Sequence, residues 1–314
     1  MATPKLLVFG SLNVDFVYQV PHFVQPGETL LSTGRQVFAG GKGLNQAVAL
    51  AQAGGQVYFD GAVGQDDGAI LLNVLDEKHI DTTHVKKRAQ EPSGHTFIQV
   101  DSKGQNCILL YGGANQSHTK AEIDACLAQF SAGDYLVVQN ETNEVAYMIE
   151  QAADLGLKVC INASPLDDKV FAMPLERCAY IIVNEIEGAA LVGMDAAADP
   201  YEMLAQLKAK FTASTILLTL GSKGSLLAPQ GSAKIYACKA FKVQAVDTTA
   251  AGDTFLGYFV EQMSEGIAPE VALQRATAAS AIAVTRKGAT PSIPAIAEVL
   301  DFLQCHEPTL VDRL

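Results

Sequence analysis

The segment Val246-Asp247-Thr248-Thr249-Ala250-Ala251-Gly252-Asp253-Thr254-Phe255 is a run of mostly small residues that opens directly into an amphipathic stretch. Backbone N–H groups at a helix start have no intrahelical partner and point outward, so such a turn can bind an anion such as a phosphoryl group. A carboxylate at its mouth, here Asp253, can take a proton from an attacking hydroxyl while the amides of Ala250, Ala251 and Gly252 stabilise charge on transferring oxygens. Asp is also common as a plain helix cap, and the motif by itself leaves both readings open.

A second glycine-rich turn, Phe38-Ala39-Gly40-Gly41-Lys42-Gly43-Leu44-Asn45-Gln46, also precedes a helical pattern. Gly43 follows Lys42 where a P-loop needs Ser or Thr to reach magnesium, so this is neither that motif nor a dinucleotide fingerprint. Dense glycine lets backbone approach a ligand closely, and Lys42 and Asn45 offer donors to hydroxyl oxygens; a flexible turn explains the segment nearly as well. Near the N-terminus, Gly10-Ser11-Leu12-Asn13-Val14-Asp15 follows a strand pattern. Ligands of parallel sheets bind beyond the carboxyl ends of strands, where Asn13 and Asp15 are expected. A carboxylate there can accept both protons of a vicinal diol; an Asx turn is the bland alternative.

These residues need a frame. Short apolar runs at Leu6–Phe9, Val57–Asp60, Tyr135–Gln139, Lys158–Asn162, Tyr180–Asn184 and Thr215–Thr219 read as buried parallel strands. Helical spacing over 43–53, 69–78, 120–130, 145–155, 186–191 and 200–211 alternates with them, and 252–264, 269–286 and 294–304 make the C-terminal third mostly helical. The expected fold is α/β: a doubly wound, mostly parallel sheet with helices on both faces. Residues from about 16 to 38 and 94 to 110 instead alternate apolar and polar side chains, as half-exposed antiparallel strands do. They are expected to form a small β-strand lid over the cleft, within a single domain spanning 1–314, or else an edge extension of the main sheet.

Hydrophobic residues make up 49% of the 314 and charged residues 18%, a core-forming composition that argues against a disordered chain. Lys+Arg number 22 against Asp+Glu 34, and this net charge of −12 opposes a nucleic-acid partner. A polyanionic substrate must therefore be met by local amides, a metal ion or a few placed cations. No apolar run approaches a membrane span and no secretory hydrophobic segment precedes the first strand, so no membrane partner and a cytoplasmic location are expected. Cys107, Cys126, Cys160, Cys178, Cys238 and Cys305 lack zinc or redox spacing and read as reduced buried thiols; the six dispersed histidines carry no ligand spacing either.

Taken together and in order, the three segments 10–15, 40–46 and 247–255 closely resemble the signatures of the PfkB-type carbohydrate kinases. The resemblance runs over essentially the whole chain, including Thr219-Leu220-Gly221-Ser222-Lys223-Gly224 and 281–289. It implies a ribokinase-like fold and ATP-dependent phosphorylation of D-ribose at O5, with Asp253 as base and Gly252 and its neighbours lining the anion hole. Asn13, Asp15, Gly41, Lys42, Asn45 and Glu141 would hold the sugar. Asn184 and Glu187 would stand near the nucleotide phosphates and the Mg²⁺ water shell, with residues 219–224 as the nucleotide loop and Thr277 at a nucleotide-contacting position. Relatives that use K⁺ place its ligands at positions matching Asp247, the carbonyls of Thr249, Ala283, Arg286 and Gly288, and the Ser292 hydroxyl.

His95 and Thr96 in the lid strand, Leu44 and Thr277 depart from the family's usual residues, which bears on which sugar fits. The acceptor could instead be deoxyribose, fructose or a nucleoside, and a non-catalytic sugar- or nucleotide-binding regulator is the alternative of another class. Exposed lid-strand edges lead us to expect a homodimer.

Overall fold

The computed structural model describes residues 3–308 and 310–313. From the N-terminus the elements are β1 (Leu6–Phe9), β2 (Asn13–Gln19), β3 (Gly34–Gly40), α1 (Lys42–Ala53), β4 (Val57–Asp60), β5 (Ala62–Gly64), α2 (Ala69–Glu77), β6 (Lys86–Arg88), β7 (Gly94–Val100) and β8 (Asn106–Tyr111). They continue as α3 (Lys120–Leu127), β9 (Tyr135–Gln139), α4 (Val145–Asp154), β10 (Lys158–Asn162), α5 (Asp168–Phe171), β11 (Tyr180–Asn184), α6 (Glu185–Val192), α7 (Pro200–Lys210) and β12 (Thr215–Thr219). The chain closes with β13 (Ser225–Ala228), β14 (Ile235–Cys238), α8 (Ala251–Ser264), α9 (Pro269–Ala283), α10 (Ile296–Cys305) and β15 (Leu310–Arg313).

Strands of consecutive apolar residues must be covered on both faces, and here they are. The main sheet runs β15-β14-β13-β12-β11-β10-β9-β1-β4, parallel from β4 to β12 and antiparallel beyond. Because side chains alternate along a strand, Leu6 and Val8 enter one core with α1, α8 and α9, while Leu7 and Phe9 enter a second core with α3, α4, α6 and α7. Each fully buried Leu, Val or Phe side chain contributes on the order of 1.5–3 kcal/mol, so the two cores hold the sheet's carboxyl edge as a firm platform.

The six parallel strands match the expected bounds, and the doubly wound α/β fold is present. The helices at 120–130 and 269–286 end early, at Leu127 and Ala283, and the last helix starts at Ile296, after Pro294. Three antiparallel strands, β13 to β15, were not anticipated.

The small sheet has the order β3-β2-β7-β8. Its strands were expected to be antiparallel throughout, but the central pair β2 and β7 is parallel because a long excursion through α1 and α2 separates them. It also begins earlier than expected: Asn13 and Asp15 lie on β2 itself. The thiols divide as well, since Cys107 and Cys305 are exposed and four are buried.

Candidate active site

The carboxyl ends of β1, β9, β10, β11 and β12 line one edge of the main sheet, with Gln139 in register with Asn162 and Asn184 with Thr219. The N-terminus of α1 is pressed onto this edge. A Cβ at Gly43 would lie 2.4 Å from the Ser11 nitrogen and 2.6 Å from the Gly10 carbonyl carbon, so only glycine allows this approach. Gly41, at φ 99, makes the turn into the helix, and the Leu44 amide then donates to the Ser11 carbonyl at 3.0 Å.

This seating puts Asn45 and Gln46 against α8. Asn45 Nδ2 donates to Asp253 Oδ2 at 3.0 Å, and Gln46 Nε2 donates to Asp253 Oδ1 at 2.9 Å. Gln139 Nε2 donates to Gln46 Oε1 at 2.8 Å, which fixes the Gln46 amide. Asp253 is 8% exposed, and its side chain caps nothing: the residue at the cap position is Ala250, with no side-chain bond to the helix. The plain helix-cap alternative that the motif left open does not hold, because both oxygens are held by donors from another helix while lone pairs remain on each.

Ala250 adopts the left-handed conformation, φ 59, which a residue with a Cβ takes up at a cost of about 1–2 kcal/mol. The twist turns the next amides outward. Among the described residues no acceptor meets the Gly252 or Asp253 amide, and the space where a Gly252 side chain would stand is open. An uncapped helix start with bare amides beside a held carboxylate is equipped to bind and stabilise a transferring anionic group.

Lys42 lies half-buried between carboxylates. Burial works against its charge, but Asp253, Glu141 and Glu187 outweigh it and hold the ammonium above its ordinary value. Glu141 has the reverse balance: burial raises its carboxyl, with the Lys42 charge, the Ser11 hydroxyl and the Lys42 amide (3.2 Å) opposing. On β2, Asp15 is pushed up to about 6 by burial, against the Thr96 hydroxyl that donates to it at 2.6 Å. This bond belongs to a strand pair, so Asp15 makes no Asx turn. Asn13 is buried and accepts from Asn115 Nδ2 at 2.8 Å, while Asn115 Oδ1 takes the Leu12 amide at 3.0 Å.

Farther along the edge, α6 has a closed N-terminus. Asn184 Oδ1 accepts the Ile186 and Glu187 amides, both at 2.9 Å, and Glu187 Oε2 accepts the Asn184 amide at 2.9 Å. Glu187 is 6% exposed, so it is no solvated helix-face residue. After β12 the chain closes a tight turn, with the Leu220 amide on the Gly224 carbonyl at 2.8 Å, Gly221 at φ 53, and Ser222 and Lys223 exposed. Thr277 is buried in α9 with its hydroxyl donating to the Leu273 carbonyl at 2.7 Å, so the hydroxyl's donor is already used.

Behind the α8 turn, residues 246–249 are stapled to 284–288. Asp247 Oδ2 takes the Gly288 amide at 2.9 Å, Oδ1 takes the Thr249 amide and hydroxyl at 2.9 and 2.6 Å, and the Val246 amide donates to the Val284 carbonyl at 2.7 Å. Burial opposes charge on Asp247, but these Thr249 and Gly288 bonds and the Lys287 charge hold its carboxyl below the usual range. Arg286 engages Glu298 through its guanidinium at 2.5 Å, leaving its carbonyl, and the buried Ser292 hydroxyl donates to the Ala289 carbonyl at 2.7 Å. The Asp247 carboxylate and Ser292 hydroxyl are hard oxygen donors, the chemistry that suits an alkali cation, and of the expected carbonyls that of Ala283 accepts the Arg286 amide at 3.0 Å.

The motifs had not singled out Ser11, Gln46, Asn115, Gln139 or Asn162, which position the other groups, and Thr96, marked only as a departure from the family's residues, proves to hold Asp15. Gln46 directly follows Asn45 and Ser11 lies within the first motif, so adjacency was a usable signal for those two; Asn115 and Asn162 gave none.

The model of the pfkB family of carbohydrate kinases matches residues 3–296. The chain belongs to this family. It is 39% identical over 306 residues to the ribokinase of Haemophilus influenzae, covering 95% of this chain and 98% of that one. Among solved structures, the Arabidopsis thaliana ribokinase complexed with ribose and ATP superposes with a TM-score of 0.84 at 31% identity, covering 97% and 99% of the two chains. The Cryptococcus neoformans ribokinase in complex with ADP gives a TM-score of 0.83 at 34% identity, covering 95% and 99%.

Proposed function

We propose that the protein transfers the terminal phosphoryl group of ATP to O5 of D-ribose, giving D-ribose 5-phosphate and ADP. The observation that carries this reading is the Asp253 carboxylate held by Asn45 and Gln46 beside the acceptor-less amides of Gly252 and Asp253. Family membership and the ribose- and nucleotide-bound relatives support the choice of reactants.

In this reading Asp15, on the small sheet, accepts the protons of neighbouring sugar hydroxyls, with Asn13, Gly41, Lys42, Asn45 and Glu141 completing the pocket. Asp253 takes the proton of the attacking hydroxyl as the phosphorus–oxygen bond forms, and the outward amides of the α8 turn meet charge on the equatorial oxygens. Lys42, charged because three carboxylates face it, offsets the phosphoryl charge that the chain's net −12 would otherwise repel. Asn184 and Glu187, with residues 219–224, stand along the nucleotide end of the edge. A magnesium ion carried by the nucleotide supplies charge neutralisation there, and the buried Glu187 carboxylate is the group that would orient its water shell. A potassium ion on the oxygens around Asp247 would brace the anion-binding turn.

The small sheet acts in this account as a lid. Its edge strand β8 is exposed along its whole length, with Ile108, Leu109, Leu110 and Tyr111 open to solvent, and this apolar edge supports a homodimer formed through lid strands. No helix among the described residues is long and apolar enough to cross a membrane, in keeping with a cytoplasmic enzyme.

Coupled measurement of ADP release with ribose, deoxyribose, fructose and nucleosides, with and without K⁺, tests the proposal. Ribose should give the highest kcat/KM and K⁺ should raise it. A preferred non-pentose would remove ribose as acceptor, and ADP from no sugar would favour the binding-only regulator.

A further inference from the structure

Neither the histidines nor the cysteines have ligand spacing along the chain, yet folding gathers three donors at the outer edge of the main sheet, outside the cleft. Asp60 ends the edge strand β4, His84 lies in the turn before β6, and Cys126 lies on α3. One ligand atom from each lies within 4.8 Å of the others. Asp60 is 1% exposed; its carboxyl meets the Cys126 thiol and the Gly61 amide, and among the described residues its Oδ2 gains no further hydrogen-bond partner, an expensive arrangement for a buried carboxylate. Nearby, His118 packs edge-on against Phe9, the strand neighbour of Asp60, and neither of its buried ring nitrogens has a hydrogen-bond partner among the described residues.

The geometry points to a transition-metal site at Asp60, His84 and Cys126, of the zinc class, separate from the catalytic cleft. One oxygen, one imidazole nitrogen and one sulfur form a donor set that suits Zn²⁺ or Co²⁺ and suits neither Mg²⁺ nor K⁺, which require oxygen shells. The frame around it is pinned. Arg88 forks onto Glu122 with two bonds of 2.8 Å, tying β6 to α3, and its Nε reaches Ser117 Oγ at 2.8 Å. That pairing occupies the Arg88 guanidinium, and Lys86 and Arg88 are both cations facing Asp60. An ion held here links β4, α3 and the entry to β6, and it abuts the cleft through the Asp60 carbonyl, which accepts the Gly10 amide at 3.1 Å.

The test is cobalt(II) chloride titrated into chelator-treated full-length protein under a non-chelating reductant, followed by visible absorption. The expected result is one equivalent bound, with tetrahedral d–d bands and a thiolate-to-cobalt charge-transfer band. Cys126→Ser should abolish the charge-transfer band, and His84→Ala should weaken binding by about tenfold or more. Sugar phosphorylation by His84→Ala should equal that of the parent, which keeps this site's fate distinct from that of the kinase reading. The absence of cobalt bands in the parent would overturn the assignment. So would unchanged bands in Cys126→Ser, which would locate the metal on other thiols such as the exposed Cys107 or Cys305. If Cys126→Ser does not fold, His84→Ala decides: parental cobalt affinity in that half-exposed turn variant overturns the site.

Discussion

Two helices begin at the same edge of the sheet in opposite ways. α6 closes its own N-terminus, with Asn184 and Glu187 capping each other's backbone, whereas α8 starts from a left-handed Ala250 and leaves two amides without acceptors among the described residues. A helix start that its own sequence satisfies is a structural joint; one left bare and beside a held carboxylate is prepared for something the chain does not contain. In the proposed reading the reactive end of the cleft is therefore at α8, and α6 presents the buried Glu187.

The sharpest way to break this contrast is Asp253→Asn. It is isosteric but turns one of the two accepting oxygens into an amide donor, so it gives up one of the bonds from Asn45 and Gln46 along with the proton acceptor, and kcat should fall by about 10²–10⁴ with KM for ribose little changed. A kcat near the parent's would make α8 an ordinary helix start. Next in size is the pH response of the sugar end. Asp15 is pushed up to about 6, so below that pH it is protonated and loses acceptor capacity, and above it the carboxylate is available. kcat/KM for ribose should therefore climb roughly tenfold per pH unit below about 6 and level off above it. Asp15→Asn should lose that inflection.

The capped helix supplies a smaller effect. Asn184→Ala removes the acceptor for two amides and should cost about 1 kcal/mol of unfolding free energy, read by urea denaturation. The smallest effect has the opposite sign: Ala250→Gly relieves the left-handed strain and should stabilise the fold by a few tenths to about 1 kcal/mol. If Ala250→Gly instead destabilised the protein, the strained turn would not be the source of the exposed amides.

Much of this arrangement was legible in the residues. The strands Tyr135–Gln139 and Tyr180–Asn184 announce themselves because a strand buried on both faces must be apolar throughout, and they hold end to end. The charged and glycine-rich motifs also marked Asp253, Asp15 and Lys42. What escaped was set by partners distant in the chain. The strands β13 to β15 are short and antiparallel, and nothing in Ser225–Ala228 distinguishes a sheet strand from a covered loop. The parallel pairing of β2 with β7 depends on chain routing, which side-chain alternation does not encode. Gln46, Gln139 and Asn162 are neutral amides whose importance arises only from what they touch, and the Asp60, His84 and Cys126 cluster is invisible to spacing for the same reason.

Amide hydrogen exchange, resolved by residue in the free protein and with ribose, ADP and aluminium fluoride, tests the contrast between the two helix starts most directly. The Gly252 and Asp253 amides should exchange fast in the free protein and become protected in the complex, while Ile186 and Glu187 are protected in both. Slow exchange at Gly252 and Asp253 before ligand is added, or no protection after it, would contradict the account.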